Sequence, residues 1–329
     1  TTSSANIFKN LKLKKTSHVY FPLDNNYIVK RFIKYWQPEL AIFIDSEIWP
    51  SMFTEIKKNN IPLILMNARI TEKSFKKWQI FKKFSSKIFG KIDIADPCNN
   101  ETMNYLKKFK IKKIKKIGNL KFTQRNNLKE KKFSSSFLST IKKRLIFVAA
   151  STHPNEEMII SKTHLMLKKK FKNLLTIIIP RHIDRKEKII NNLNNLNLKV
   201  HLHSSKNKIS NDIDIYLVDT YGETKKFFKI SKVVFLGGSM INHGGQNPLE
   251  AARFGSKILH GKYIHNFTEI YSLLKKNKQS KKINSQNHLN YTVRKSLMEK
   301  NKSAIFIKKL KKNGNMILKK TKNEIVRLI

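Results

Sequence analysis

Short apolar runs rich in Ile, Leu and Val alternate along this chain with amphipathic stretches long enough for helices, and that alternation admits few folds. A strand buried on both faces reads as a continuous apolar run, and a helix between two such runs brings the chain back so that successive strands lie parallel. The runs predict strands at Leu40 to Ile44, Pro62 to Met66, Leu145 to Ala149, Leu174 to Ile179, Ile213 to Val218 and Val233 to Leu236. Between them, helices are expected at Ser51 to Lys58, Ser74 to Ile88, Glu101 to Phe109, Glu156 to Phe171, Arg185 to Leu193 and Thr224 to Ile230. The expectation is an α/β protein with parallel sheets rather than a sandwich or a bundle.

With 329 residues the chain exceeds what one core usually serves, so two domains are expected. The pattern is weakest in the polar, basic segment Thr123 to Lys143, which places the junction there and predicts domains of residues 1–124 and 125–329, each a Rossmann-like half. After about Lys275 the chain turns rich in Lys, Asn and Ser. Helical periodicity then returns over Val293 to Leu310 and Met316 to Ile329, expected to close the second domain.

Hydrophobic residues make up 40% of the chain, enough for folded cores, yet 68 Lys and Arg against 22 Asp and Glu leave a net charge of +46. Such a field attracts nucleic acid, an anionic membrane face or a phosphorylated substrate. Runs such as Lys168-Lys169-Lys170 amid abundant Ile and Asn equally fit codon drift in an AT-rich genome, so charge alone selects no partner. The single cysteine, Cys98, excludes an intramolecular disulfide and suits a reducing compartment. No run of about 18 apolar residues offers a membrane span. The first residues, with no starting Met, no charged segment and no apolar leader, read as the middle of a longer chain.

The richest segment runs from Val234-Phe235-Leu236 through Gly237-Gly238-Ser239 to Asn247-Pro248-Leu249-Glu250. A buried strand enters a glycine-rich turn whose missing side chains let a ligand approach the backbone, and a helix opens near Pro248. Backbone N–H groups there could hold a phosphate, with Glu250 positioned to accept from ribose hydroxyls. Pro180-Arg181-His182 follows an apolar run at the carboxyl edge, where parallel sheets bind ligands; Arg181 either grips an anion or forms a structural ion pair. Ser151 and Thr152, after the strand ending at Ala149, either cap the next helix or touch a ligand. In the first half, Asp45 and Glu47 follow a strand, and Asn67-Ala68-Arg69 and Lys121 lie at the ends of others.

Taken in order, Phe43-Ile44-Asp45-Ser46-Glu47-Ile48-Trp49-Pro50, Asn67-Ala68-Arg69 with Ser74, Gly118-Asn119-Leu120-Lys121-Phe122, Ser151-Thr152-His153 with Glu156-Glu157, Pro180-Arg181-His182, Asp219-Thr220-Tyr221-Gly222-Glu223, and Gly237-Gly238-Ser239 through Glu250 resemble the signature segments of bacterial 3-deoxy-D-manno-octulosonic acid (Kdo) transferases. The resemblance covers about Thr1 to Ile270 and is specific because the segments occur together and in order. It implies a GT-B glycosyltransferase, with two Rossmann-like domains facing a cleft and the first incomplete at its N-terminus. It further implies transfer of Kdo from CMP-Kdo to the lipid A precursor (lipid IVA). By the same resemblance Pro180, Arg181, Tyr221, Gly222, Glu223, Asn247, Pro248, Leu249 and Glu250 match CMP-contacting positions, and Asp45 and Lys121 match positions that support the transition state. The family usually has Glu where this chain has Asp45, which keeps Glu47 a candidate. Its catalytic base, a Glu in a Gly-Glu motif, and its membrane anchor lie upstream of Thr1, so the chain is expected to be a fragment and inactive alone.

The expected reaction is displacement at the anomeric carbon with inversion, the leaving phosphate being stabilised by Arg181, backbone and helix terminus. The sequence has no Asp/His/Cys cluster at ligand spacing, so no metal and no cofactor are expected. Expected partners are CMP-Kdo, the lipid A precursor and the anionic cytoplasmic face of the bacterial inner membrane, where each nearby Lys contributes about 1 kcal/mol. Two rivals remain: a GT-B enzyme with a UDP-linked donor, and a nucleic-acid-binding protein. Against the latter, Lys is spread along the chain, aromatics do not interleave with basic runs, and no recognised module occurs, so nucleic acid is not an expected partner.

Overall fold

The computed structural model describes residues 2–11, 13–124, 133–205, 207–299 and 303–329. The predicted junction after residue 124 abuts residues 125–132, which lie outside the described residues. The chain divides into two compact units, Thr1–Thr123 with Asn315–Ile329, and Gln124–Gly314.

The first unit contains β1 (Ala41–Ile44), β2 (Leu63–Ala68) and β3 (Ile94–Pro97), all parallel in the order β1-β2-β3. Every residue of β2 is buried, as its unbroken Leu-Ile-Leu-Met run requires. One face packs Leu63, Leu65 and Ala95 against Phe53, Ile56, Phe89 and Phe109. On the other, Ile64, Met66 and Ile94 meet Ile325 and Leu328 from the chain's end. Those contacts correct the expectation that both terminal helices belong to the second domain. The two expected helices become Gln286–Met298 and Ala304–Val326, and the second runs through Gly314, whose cost within a helix is only about 1 kcal/mol. Its residues from 315 onward belong to the first unit because a parallel sheet needs apolar cover on both faces.

The second unit has seven parallel strands: β4 (Leu145–Thr152), β5 (Leu174–Pro180), β6 (Val200–Leu202), β7 (Ile215–Leu217), β8 (Val233–Leu236), β9 (Lys257–His260) and β10 (Ser280–Lys282). Their order is β10-β9-β8-β4-β5-β7-β6. The chain therefore starts in the middle with β4, builds outward through β5 to β6, and returns to add β8, β9 and β10 on the other side. The reversal leaves a crevice beyond the carboxyl ends of β4 and β8, where helices on opposite faces diverge. A core including Phe147, Ala149, Ile178, Leu217, Phe235 and Leu259 holds the layers together.

All six predicted strands are present. β3, β6, β9 and β10 were missed: β6, β9 and β10 are short and carry polar residues (Val200-His201-Leu202, Lys257-Ile258-Leu259-His260, Ser280-Lys281-Lys282), which hide the apolar period. The helix expected over Ser74 to Ile88 is two, Glu72–Ile80 and Lys82–Phe89, parted at Phe81.

Candidate active site and donor pocket

Three non-glycine residues with left-handed backbone mark the carboxyl ends of strands: Asp45 (φ 63°) after β1, Asn67 (φ 50°) in β2, and Ser151 (φ 55°) in β4. Such conformations carry strain that the surrounding structure must support, and they cluster at functional sites.

In the first unit the polar residues at the strand ends form one network. The buried Asn67 side chain donates to Asp45 Oδ1 and accepts the Leu120 N–H at 3.0 Å, so it joins Asp45 to the short 3-10 turn Leu120–Thr123 that carries Lys121. Further bonds run from Arg69 N–H to the Asp45 carbonyl (3.1 Å) and from Ser46 Oγ to the Arg69 carbonyl (2.7 Å). Asp45, Asn67, Arg69 and Lys121 thus share one strand edge, and the sequence reading had not assigned Asn67 its bridging role. Glu47 is exposed and accepts the Trp49 indole N–H at 2.8 Å. Beside β1, at the edge of the sheet, an apolar hollow of about 410 Å³ is lined by Phe21, Phe32, Phe43, Ile44 and Trp49, with Glu47 among the residues around it.

Asp96, at the end of β3 and fully buried, accepts the Ile117 N–H at 2.8 Å, while its other oxygen is enclosed without a partner. Burial pushes its pKa up to about 6, the Ile117 N–H pulling the other way. A folded pKa above the unfolded one means the native state holds the proton more tightly. The stability this confers is therefore present in acid and lost as pH rises from about 4 through about 6. Asp96→Asn should remove that slope, so the wild type is expected to lose ground against the variant by about 1 kcal/mol per pH unit across that window, then level off. Urea midpoints at about pH 5, 6 and 7 check it, and a pH-independent difference refutes it.

In the second unit the glycine-rich turn does something other than predicted. Glu156, fully buried, accepts the N–H groups of Gly238 (2.7 Å), Ser239 (3.1 Å), Met240 (3.0 Å) and His153 (3.0 Å). Burial raises its pKa against the pull of those four donors. The N–H groups expected to cradle a phosphate are already bonded to an internal carboxylate. Gly237 N–H is taken by the Ala150 carbonyl at 2.9 Å, and Ser239 Oγ donates to the Leu236 carbonyl and accepts from Gly261 N–H. Gly237, Gly238 and Ser239 therefore shape the crevice floor rather than offer it donors. Likewise the helix at Pro248 is only Leu249–Arg253, too short for an appreciable dipole.

Thr152 is buried and donates to Glu157, and Arg185 grips the same carboxylate with two bonds of 3.1 and 3.2 Å. The structural ion pair weighed for Arg181 thus belongs to Arg185. Arg181 is exposed and makes no ion pair among the described residues, its backbone N–H held by the Thr152 carbonyl at 3.0 Å. Pro180 is buried as the last residue of β5. The loop 219–223 after β7 is fastened at both ends: Asp219 accepts from Ser204, and the Glu223 carboxylate is bound by His203 and by Lys226 at 2.5 Å. Between these anchors Tyr221 is 67% exposed and Gly222 is open, a free aromatic face on a fixed loop. Asn247 Oδ1 accepts the Leu249 N–H, and half-buried Glu250 lies 3.9 Å from Lys225. The residues matched to CMP contacts therefore come from the ends of β5, β7 and β8, three of the four central strands.

Residues 1–124 match the family model described as 3-deoxy-D-manno-octulosonic-acid transferase (kdotransferase). The chain is 35% identical over 322 residues to the 3-deoxy-D-manno-octulosonic acid transferase of Rickettsia typhi, covering 95% of this chain and 67% of that protein. It belongs to the Kdo transferase family. Kdo transferases are glycosyltransferases, and the enzyme class expected from the motifs is borne out. A further Kdo transferase, from Haemophilus influenzae, is 32% identical over 265 residues, covering 78% of this chain and 61% of its own. Among solved structures, the putative UDP-N-acetylglucosamine 2-epimerase of Listeria monocytogenes superposes with a TM-score of 0.58 at 12% identity, over 92% of this chain and 78% of that one. At that identity the likeness concerns the fold alone, and it agrees with the GT-B class, built from parallel Rossmann-like units.

Proposed function

We propose that this Kdo transferase takes Kdo from CMP-Kdo and passes it, with inversion at the anomeric carbon, to a hydroxyl of the lipid A precursor (lipid IVA) in lipopolysaccharide synthesis. The observation that carries the donor assignment is Arg181, an exposed guanidinium without an ion pair among the described residues, beside the crevice of a doubly wound sheet. A permanent cation left unneutralised there suits a phosphate, which its planar fork can hold through two hydrogen bonds. Tyr221 offers a ring for a base, and Glu250 an acceptor for ribose hydroxyls. As the glycosidic bond breaks, charge grows on the departing CMP, and Arg181 stabilises it more in the transition state than before. Asp45 and Lys121, tied together through Asn67, act on the transferring sugar; the proton acceptor for the incoming hydroxyl is not assigned to a residue of this chain.

The apolar hollow beside β1 favours an acceptor with acyl chains, and the +46 charge favours work at the anionic cytoplasmic face of the inner membrane. No helix among the described residues is long and apolar enough to cross a membrane. Calorimetric titration tests the donor: CMP should bind in preference to UMP, and Arg181→Ala should weaken CMP about 10- to 100-fold, the worth of a charge-assisted hydrogen bond. Unchanged CMP affinity in that variant, or preference for UMP, sinks the assignment.

A further inference from the structure

The crevice holds a buried histidine, His153, that the donor contacts named so far do not include. His153 follows β4 at the point where the winding of the sheet reverses, and only 7% of it is exposed. Its Nε2 is enclosed without a hydrogen-bond partner, a situation rare enough in folded proteins to call for a cause. The ring faces Gly238, where an added Cβ would stand 3.1 Å from Nε2. Exposed His243 lies nearly parallel over the ring (centroids 4.5 Å apart, 17°), and His182 meets it edge-on at 6.0 Å. Burial first, then His243, His182, Arg185 and Arg181, bring its pKa down to about 4, so at neutral pH the ring carries one N–H and no charge. Metal binding does not account for the group, because no three His, Cys, Asp or Glu among the described residues are placed to hold an ion.

Two further facts point to what the nitrogen serves. Glu156 has already taken the backbone N–H groups of the turn, so an anion entering the crevice must find its donors on side chains. Arg181 leaves the neighbouring strand, its backbone N–H bonded to the residue before His153, which puts a cation and an unused imidazole on one rim. We propose that His153 Nε2 donates a hydrogen bond to the phosphate of the bound nucleotide donor, becoming reachable when the His243 ring slides off it. This rests on the donor-pocket reading above and extends it to a residue which that reading leaves out. Without ligand, the histidine stack fills the space and keeps the unpaired nitrogen from water. With ligand, the phosphate supplies the missing partner, and the absence of a side chain at Gly238 keeps the ring edge from being crowded further.

Calorimetric titration of the whole chain with CMP and with cytidine, in wild type, His153→Ala and His153→Gln, tests the contact. His153→Ala should weaken CMP about tenfold and leave cytidine unchanged, because cytidine has no phosphate to lose. His153→Gln, whose terminal amide can place an N–H near the Nε2 position, should stay within about threefold of wild type. CMP affinity within about twofold in His153→Ala overturns the proposal, as does an equal loss for CMP and cytidine, which would show the ring supporting the base pocket or the fold. Preference for UMP over CMP overturns the donor assignment while the phosphate contact is scored on UMP against uridine, and a wild-type chain that binds no nucleoside monophosphate overturns both.

Discussion

Glu156→Ala is expected to destabilise the second unit by about 4 kcal/mol or more, a large part of the roughly 5–15 kcal/mol that holds a typical domain together. The carboxylate accepts the N–H groups of Gly238, Ser239 and Met240, and it also takes that of His153. Truncation would leave four enclosed donors with nothing to bond, and each buried orphan costs about 1–3 kcal/mol. Water entering the space left behind would recover part of this, so the lower figure is the one to expect. Glu156→Gln keeps one acceptor oxygen but turns an NH2 group toward donors, so it should fall between wild type and alanine. Urea unfolding followed by fluorescence measures the series, and an alanine variant within about 0.5 kcal/mol of wild type would refute this account of the turn.

Gly237→Ala ranks second. A Cβ at residue 237 would stand 2.2 Å from the Ser151 carbonyl oxygen, 2.6 Å from Thr152 Cα and 2.7 Å from Glu156 Oε2. Two of those neighbours are backbone of β4, the central strand, and cannot rotate away. Relief requires β8 to part from β4, breaking the Gly237 N–H to Ala150 bond and disturbing the Glu156 cage behind it. Overpacking of this kind costs about 3 kcal/mol, and at roughly 2–4 °C per kcal/mol for a unit of this size Tm should fall by about 6–12 °C. Gly222→Ala provides the contrast: its φ is 84° but nothing lies within 4 Å of the new Cβ, so only left-handed strain of about 1–2 kcal/mol applies. Equal losses in the two variants would mean that the contact with β4 does not govern the site.

The histidine proposal and the Glu156 prediction are separable. Glu156 shapes the turn and should show itself in unfolding, whereas His153 should show itself in a loss of CMP affinity that cytidine does not share.

How much could be read without the fold divides along a physical line. Local rules were enough for six apolar strands, for the placement of Arg181 at a carboxyl edge, and for the family, because each depends on residues adjacent in sequence: β5 reads as a strand from Leu-Leu-Thr-Ile-Ile-Ile-Pro alone. Which N–H groups in a glycine-rich turn remain free does not depend on neighbours. Gly238 is bonded to a carboxylate from a helix that starts 82 residues earlier, and a Glu at a helix start looks the same whether it faces solvent or a buried nest. The same holds for Arg181 and Arg185, two cations four residues apart of which tertiary contact gives one to Glu157 and leaves the other exposed without an ion pair among the described residues. It holds too for the last helix, whose Ile325 and Leu328 cover a sheet that began at residue 41. Sequence by itself determined the periodicity of this protein, hence its strands, its parallel sheets and its family. Only the tertiary structure decided which polar groups are spent inside the fold and which are left for chemistry, because that depends on partners brought together from distant parts of the chain.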